Sequence, residues 1–376
     1  MTKPSRSSSL PALAVLGAVL GLPLAGALAA GRPLAEFTEF PPRVSIPEYT
    51  RFSAVAAGAV MLLLVAVAIP WARALRHSGS AVGPAPGDRP HAFPAWGWAA
   101  LGWTGAWWVL AWTRWEWFAP LQRYTFFPLW LGFIVAFNAA AERRTGSCLM
   151  RRATGRWLAL FAISAACWWG FEWLNRFVLN WHYLGAEGFG AWAYFLHATF
   201  CFATVLPAVA AVAEWLDAHP GWRARVSAGP RWEWLARREA SLALLILGGL
   251  SLFGTGFWPT WMYPALWVSP LALLLGAQGL RGVEGVSGEM ARGDWSRAAT
   301  WMAASLVCGF FWEMWNWQSV AKWIYTVPGV ERWHLFEMPA LGYAGYLPFG
   351  LECLLVAERV IGDRWREHSR NRPTLY

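Results

Sequence analysis

Ten apolar runs of about twenty residues each divide this chain. They lie near 10–31, 53–72, 95–113, 124–141, 157–176, 191–216, 240–258, 261–280, 298–317 and 339–361. About 20 apolar residues cross the hydrocarbon core as a helix, and a helix satisfies every backbone amide within its own segment. A membrane barrel would show short alternating segments instead. The runs therefore predict an all-α polytopic integral membrane protein with about ten transmembrane helices. Composition agrees, with 57% hydrophobic and 14% charged residues, where a soluble domain carries about 25% charged. That balance excludes a soluble enzyme, a disordered chain and a disulfide-stapled secreted domain. Tryptophan (31) outnumbers phenylalanine (22) and tyrosine (9), which suits a protein with much lipid–water interface.

Placed against ten spans, the cations give a topology. Of 31 Lys and Arg, 23 fall on the side of the N-terminus. The other side has eight: Arg32, Arg43, Arg51, Arg114, Arg123, Arg176, Lys322 and Arg332. This bias predicts cytoplasmic termini in a bacterial-type inner (plasma) membrane. No basic cluster interleaves with aromatics on a polar domain, so nucleic acid is not an expected partner. Ala27-Leu28-Ala29 resembles a signal-peptidase site, but the preceding stretch is long for a signal peptide, which favours a retained first span. The five cysteines form no CxxC and read as small buried side chains.

The chain also repeats itself. Residues 151–175 and 292–316 share Arg151/Arg292, Arg156/Arg297, Ala162/Ala303, Ser164/Ser305, Cys167/Cys308, Glu172/Glu313 and Asn175/Asn316. Downstream, Trp181-His182-Tyr183 matches Trp323-Ile324-Tyr325, and Leu206-Pro207 matches Leu347-Pro348. The expected organisation is two leading helices and a cytoplasmic linker (1–94), a first four-helix unit (95–235), and a second four-helix unit with a cytoplasmic tail (236–376). Four spans per unit give both copies the same orientation, related by an axis along the membrane normal.

Ionisable side chains within a bilayer are costly and mark candidate sites. Glu172 and Asn175 share a helix face, and Glu313 and Asn316 repeat the pair. All four lie toward the outer (periplasmic) ends of their helices, and symmetry is expected to bring the pairs together. His182, His197, His334, Glu337 and Glu352 gather in the same region. The carboxylates Glu172, Glu313, Glu337 and Glu352, with Asn175 and Asn316, are the candidate catalytic set. His182, His197, His334, Trp312, Tyr325 and Tyr343 are the candidate substrate-binding set. Paired buried carboxylates suit acid–base work on a membrane lipid or isoprenoid. A Glu-lined transport path and a non-catalytic scaffold are the alternatives. A further possibility is structural: each Glu–Asn pair bonds neighbouring backbone, or pairs with Arg176 or Lys322. Glu-x-x-Asn is not the Glu-x-x-His of di-metal bundles, so no metal is expected. Nucleotide, P-loop and haem-attachment motifs are absent, and no cofactor is expected.

The sequence Trp312-Glu313 … Trp323-Ile324-Tyr325 … Glu337-Met338-Pro339 … Leu347-Pro348-Phe349-Gly350-Leu351-Glu352 resembles the membrane lycopene cyclases of the carotenoid pathway. The resemblance covers about 40 residues per unit. It implies tandem small-helix units in which Glu313, Glu337 and Glu352 occupy the acidic positions that protonate a polyene, with the second half catalytic. The chain departs from that pattern in having no Glu-Glu dipeptide, and Leu196 and His197 stand where the second unit has Glu337 and Met338.

Overall fold

The computed structural model describes residues 10–42, 46–47, 52–77, 90–282 and 285–362. Lys3, Arg6, most of the expected linker (78–89) and the cationic tail from 363 lie outside them. Every one of the ten apolar runs is helical. The helices are α1 (Leu10–Ala29), α2 (Ala54–His77), α3 (Ala95–Trp112), α4 (Phe126–Thr145) and α5 (Thr154–Val178), followed by α6 (Ala191–Ala203) and α7 (Val205–Asp217). The later ones are α8 (Arg238–Phe257), α9 (Ala265–Leu280), α10 (Ser296–Trp317) and α11 (Tyr346–Ile361). Shorter helical turns lie between them, and the described residues include four short strands: β1 (Trp181–Leu184), β2 (Lys322–Tyr325), β3 (His334–Leu335) and β4 (Met338–Pro339).

Fewer than ten of the runs are long and apolar enough, taken alone, to cross a membrane. Five segments qualify among the described residues, or six when the 69° bend between 116–124 and α4 is counted within one span. The segments Leu13–Ala29 and Ala265–Leu280 are apolar but shorter. The remaining α3 and α10 are rich in Trp, whose indole N–H favours the interface over the hydrocarbon. The run at 191–216 breaks at Thr204 into α6 and α7. Pro207 explains the break: it lacks an N–H, and its ring clashes with the carbonyl four residues back. Pro348 stands at the matching position, and there a 3-10 turn (Ala340–Gly345) gives way to α11.

Helix contacts come in matching pairs. α3 packs on α4 as α8 packs on α9, and α5 packs on α7 as α10 packs on α11. Between these groups, α7 meets α10 and α5 meets α11. The strands follow the same pattern. β1 and β2 run antiparallel, with Trp181 opposite Tyr325, His182 opposite Ile324 and Tyr183 opposite Trp323. Each Trp thus faces the Tyr of the other strand about a two-fold centred on His182 and Ile324. α1 docks outside this arrangement, on α8. A Cβ on Gly26 would fall 1.9 Å from the Phe253 carbonyl oxygen, and one on Gly256 would fall 1.9 Å from that of Pro23. Only glycine permits backbones this close, as at small-residue helix interfaces in membranes. Ala27, within the signal-peptidase-like triplet, is fully buried there.

Candidate functional site

The asparagines locate the strands. Asn175 Nδ2 donates to the Trp181 carbonyl (2.8 Å), and its Oδ1 accepts from the Asn180 and Trp181 amides (2.8 and 3.3 Å). Asn316 does the same for Trp323, donating to its carbonyl (2.7 Å) and accepting from its amide (2.8 Å). One buried side chain in each half thereby turns the chain from helix into strand. This is the backbone-bonding role open to these pairs from sequence.

Each neighbouring carboxylate sits in a ring of aromatic donors. Glu172 Oε1 accepts from Trp168 Nε1 (3.1 Å), Trp181 Nε1 (3.0 Å) and the Tyr183 hydroxyl (2.7 Å). Glu313 Oε1 accepts from the hydroxyls of Tyr325 (2.7 Å) and Tyr346 (2.8 Å), and Trp323 Nε1 donates in turn to Tyr325 (2.8 Å). The two rings differ in one exchange. Trp168 stands where the second half has Gly309, and Val205 where it has Tyr346. A Cβ on Gly309 would lie 2.5 Å from the Tyr346 ring. The first half thus sends an indole from α5 to its acid, and the second sends a phenol from α11 through the space a glycine leaves. Among the described residues no hydrogen bond joins the two acids, and every donor to each comes from its own half.

The surroundings of the two acids diverge. Glu172 borders a cavity of about 770 Å³. Its walls include Trp169, Trp173, Trp181, Tyr183 and Tyr194, and the segment from Phe37 to Pro42 covers it. Arg176 pins that cover, donating to the carbonyls of Phe37 (2.9 Å) and Glu39 (2.8 Å). Glu313 is fully buried, borders no part of this cavity, and has no partner for Oε2 among the described residues.

His182 also lines the cavity and is buried. The Thr326 hydroxyl donates its only proton to the Leu179 carbonyl (2.6 Å), so His182 Nε2, 2.8 Å from that hydroxyl, is the donor in their bond. Nδ1 then keeps its lone pair. Burial holds the imidazole below its ordinary value, opposed by a hydrogen bond from the ring to the Leu179 carbonyl that favours the charged form. The second half has Ile324 here, and Trp317 in place of Arg176.

The remaining candidates are dispersed. Glu337 pairs with Lys322 (2.5 Å), and His334 bonds Glu331 (2.8 Å) at an exposed site. His197 lies against Tyr124 and Phe189. Trp312 stacks on Tyr346. Tyr343 donates to the Leu335 carbonyl (3.2 Å). Glu352 is buried in α11, with both oxygens unpartnered. Glu313, Glu337 and Glu352, the acids singled out by the cyclase resemblance, do not border the large cavity, whereas Glu172, Asn175 and His182 do. Sequence reasoning did not pick out Trp168, Tyr346 or the cover 37–42. The first two occupy positions where the halves do not match, and the cover lies outside the duplicated region. Among the described residues no three His, Cys, Asp or Glu side chains are grouped to hold a metal.

Comparison with protein-family models, curated protein sequences and solved structures finds no match to this chain.

Proposed function

We propose that this chain is a membrane-embedded enzyme that holds a lipid or isoprenoid in the cavity beside Glu172 and acts on it by acid–base chemistry. In this reading all ten helical runs are spans: two leading helices and two parallel four-span units. The cavity then opens toward the periplasmic side of a bacterial-type inner membrane. The observation that carries the proposal is the shared cavity wall: a carboxyl and a neutral imidazole border one aromatic chamber. Its volume lies within the range of small-molecule sites.

The roles follow from the bonds. Three donors converge on Glu172 Oε1 and fix the carboxyl in place, which leaves Oε2 to give or take a proton. His182 Nδ1 supplies a complementary base. The indole and phenyl walls favour positive charge developing on a substrate carbon. This is the chemistry of a cyclase or isomerase, with no metal or cofactor assigned to it.

The test compares lipid extracts of membranes containing the wild-type protein, Glu172→Gln and Glu313→Gln, at matched protein levels, by mass spectrometry. Positioned acid–base groups contribute about 10²–10⁴-fold. The wild-type product should therefore fall at least about 100-fold in Glu172→Gln and persist in Glu313→Gln. An unchanged product in Glu172→Gln overturns the reading.

A further inference from the structure

A second acid sits apart from the large cavity. Glu352, near the middle of α11, is 4% exposed, and among the described residues neither carboxyl oxygen makes a well-formed hydrogen bond, although the Leu271 backbone approaches it. Beside it is a small pocket of about 40 Å³, not fully enclosed, bordered by Ser164, the exposed Cys167 and Trp168 from α5, Val205 and Leu206 from α7, and Phe349 from α11. No cation pairs with Glu352 among the described residues. The thiols of Cys167 and Cys353 and the Leu271 backbone are the polar groups near it. An isolated carboxylate in such surroundings is expensive, and an ionisable group at this depth of a membrane protein marks a functional position.

The void has room for water. A water needs about 10–15 Å³ of such space and two to four polar partners. Glu352 offers two oxygens. Ser164 Oγ, which donates to the Phe202 carbonyl (2.6 Å) and accepts from the Leu206 amide (2.9 Å), keeps one lone pair free. Trp168 forms the partition: its ring borders the void, while its Nε1 bonds Glu172 on the cavity side.

We propose that this void is a hydrated proton-binding site, in which Glu352 is a neutral acid hydrogen-bonded to water and exchanges its proton with that water. The acid O–H donates to the water and Ser164 Oγ accepts from it, so both unpaired oxygens and the empty volume have one explanation. The site does not depend on the reaction assigned to Glu172.

Infrared difference spectroscopy of the purified full-length protein in H2O and D2O tests this. The expected result is a protonated-carboxyl C=O band that shifts downward in D2O, is lost in Glu352→Gln and survives in Glu172→Gln. If Glu352→Gln fails to fold, Cys167→Val, which narrows the pocket, should retain the band and slow or abolish its exchange. A carboxyl band that does not exchange in the wild type means a dry pocket and overturns the proposal. So does the absence of any band assignable to Glu352. Loss of the band on adding Na+ or K+ means a cation site and also overturns it.

Discussion

Glu172 and Glu313 are the same residue at matching positions, with opposite prospects. Both hold a helix end to a strand through aromatic donors, but Glu172 borders the large cavity and Glu313 does not. The adjoining asparagines are structural in both halves. Replacing either with Ala strands buried backbone groups, at about 1–3 kcal/mol for each. Asn175→Ala and Asn316→Ala should therefore lower the thermal midpoint in detergent by similar amounts, followed by tryptophan fluorescence. His182 adds a pH dependence. Its folded value lies below the ordinary 6.5, so the folded state favours the neutral ring. The stability this contributes is complete above 6.5 and is lost as pH falls through the lowered value. The midpoint should drop on acidification below about 6.5 in the wild type, and the drop should be smaller in His182→Ile, which copies the residue of the other half.

At the scale of elements, the exchange of Trp168 and Val205 for Gly309 and Tyr346 makes a direct test. Trp168→Gly should destabilise, by less than the about 3–5 kcal/mol of a fully buried large-to-small change because Trp168 is only partly buried. Adding Val205→Tyr should recover part of that loss by supplying the phenol used in the second half. A double variant no more stable than the single one would show that the two rings are not interchangeable. Much at this scale was legible in the sequence. Apolar runs of twenty residues have only one way to satisfy their backbone in lipid, so the helix in each of the ten runs was foreseen, whereas short helices between them, such as Pro220–Val226 and Val286–Arg292, were not. The Glu–Asn spacing, occurring twice, pointed to both positions and left open a backbone-bonding role, but the strands that the asparagines hold were not foreseen. The Trp168 exchange was hidden because each ring is completed from a different helix, and identity between copies cannot reveal a substitution that moves from one helix to another. The cover at 37–42 was hidden because its place over the cavity rests on Arg176 bonding backbone carbonyls, which carry no side-chain signature. The expectation that the duplicated acids share one site did not allow for each being enclosed by its own rings.

At the scale of the whole molecule, charge and packing bear on topology and processing. A reporter fused after Tyr376 should be active only if it functions in the cytoplasm, and activity of a periplasm-dependent reporter there would reverse the orientation taken from the cations. α1 docks backbone to backbone on α8 through Gly26 and Gly256. Intact mass of the purified protein should therefore show residues 10–29 retained, and Gly256→Leu should separate the helices and lower stability. The last consequence concerns the crossing of β1 and β2, where His182 faces Ile324. In an assembly of two identical chains, the residue at such a crossing meets its own twin, and any change is made on both sides at once. Joined in a single polypeptide, the two sides are free to differ. One side can carry an imidazole while its counterpart carries only hydrocarbon, a difference that a homodimer could not build at this crossing.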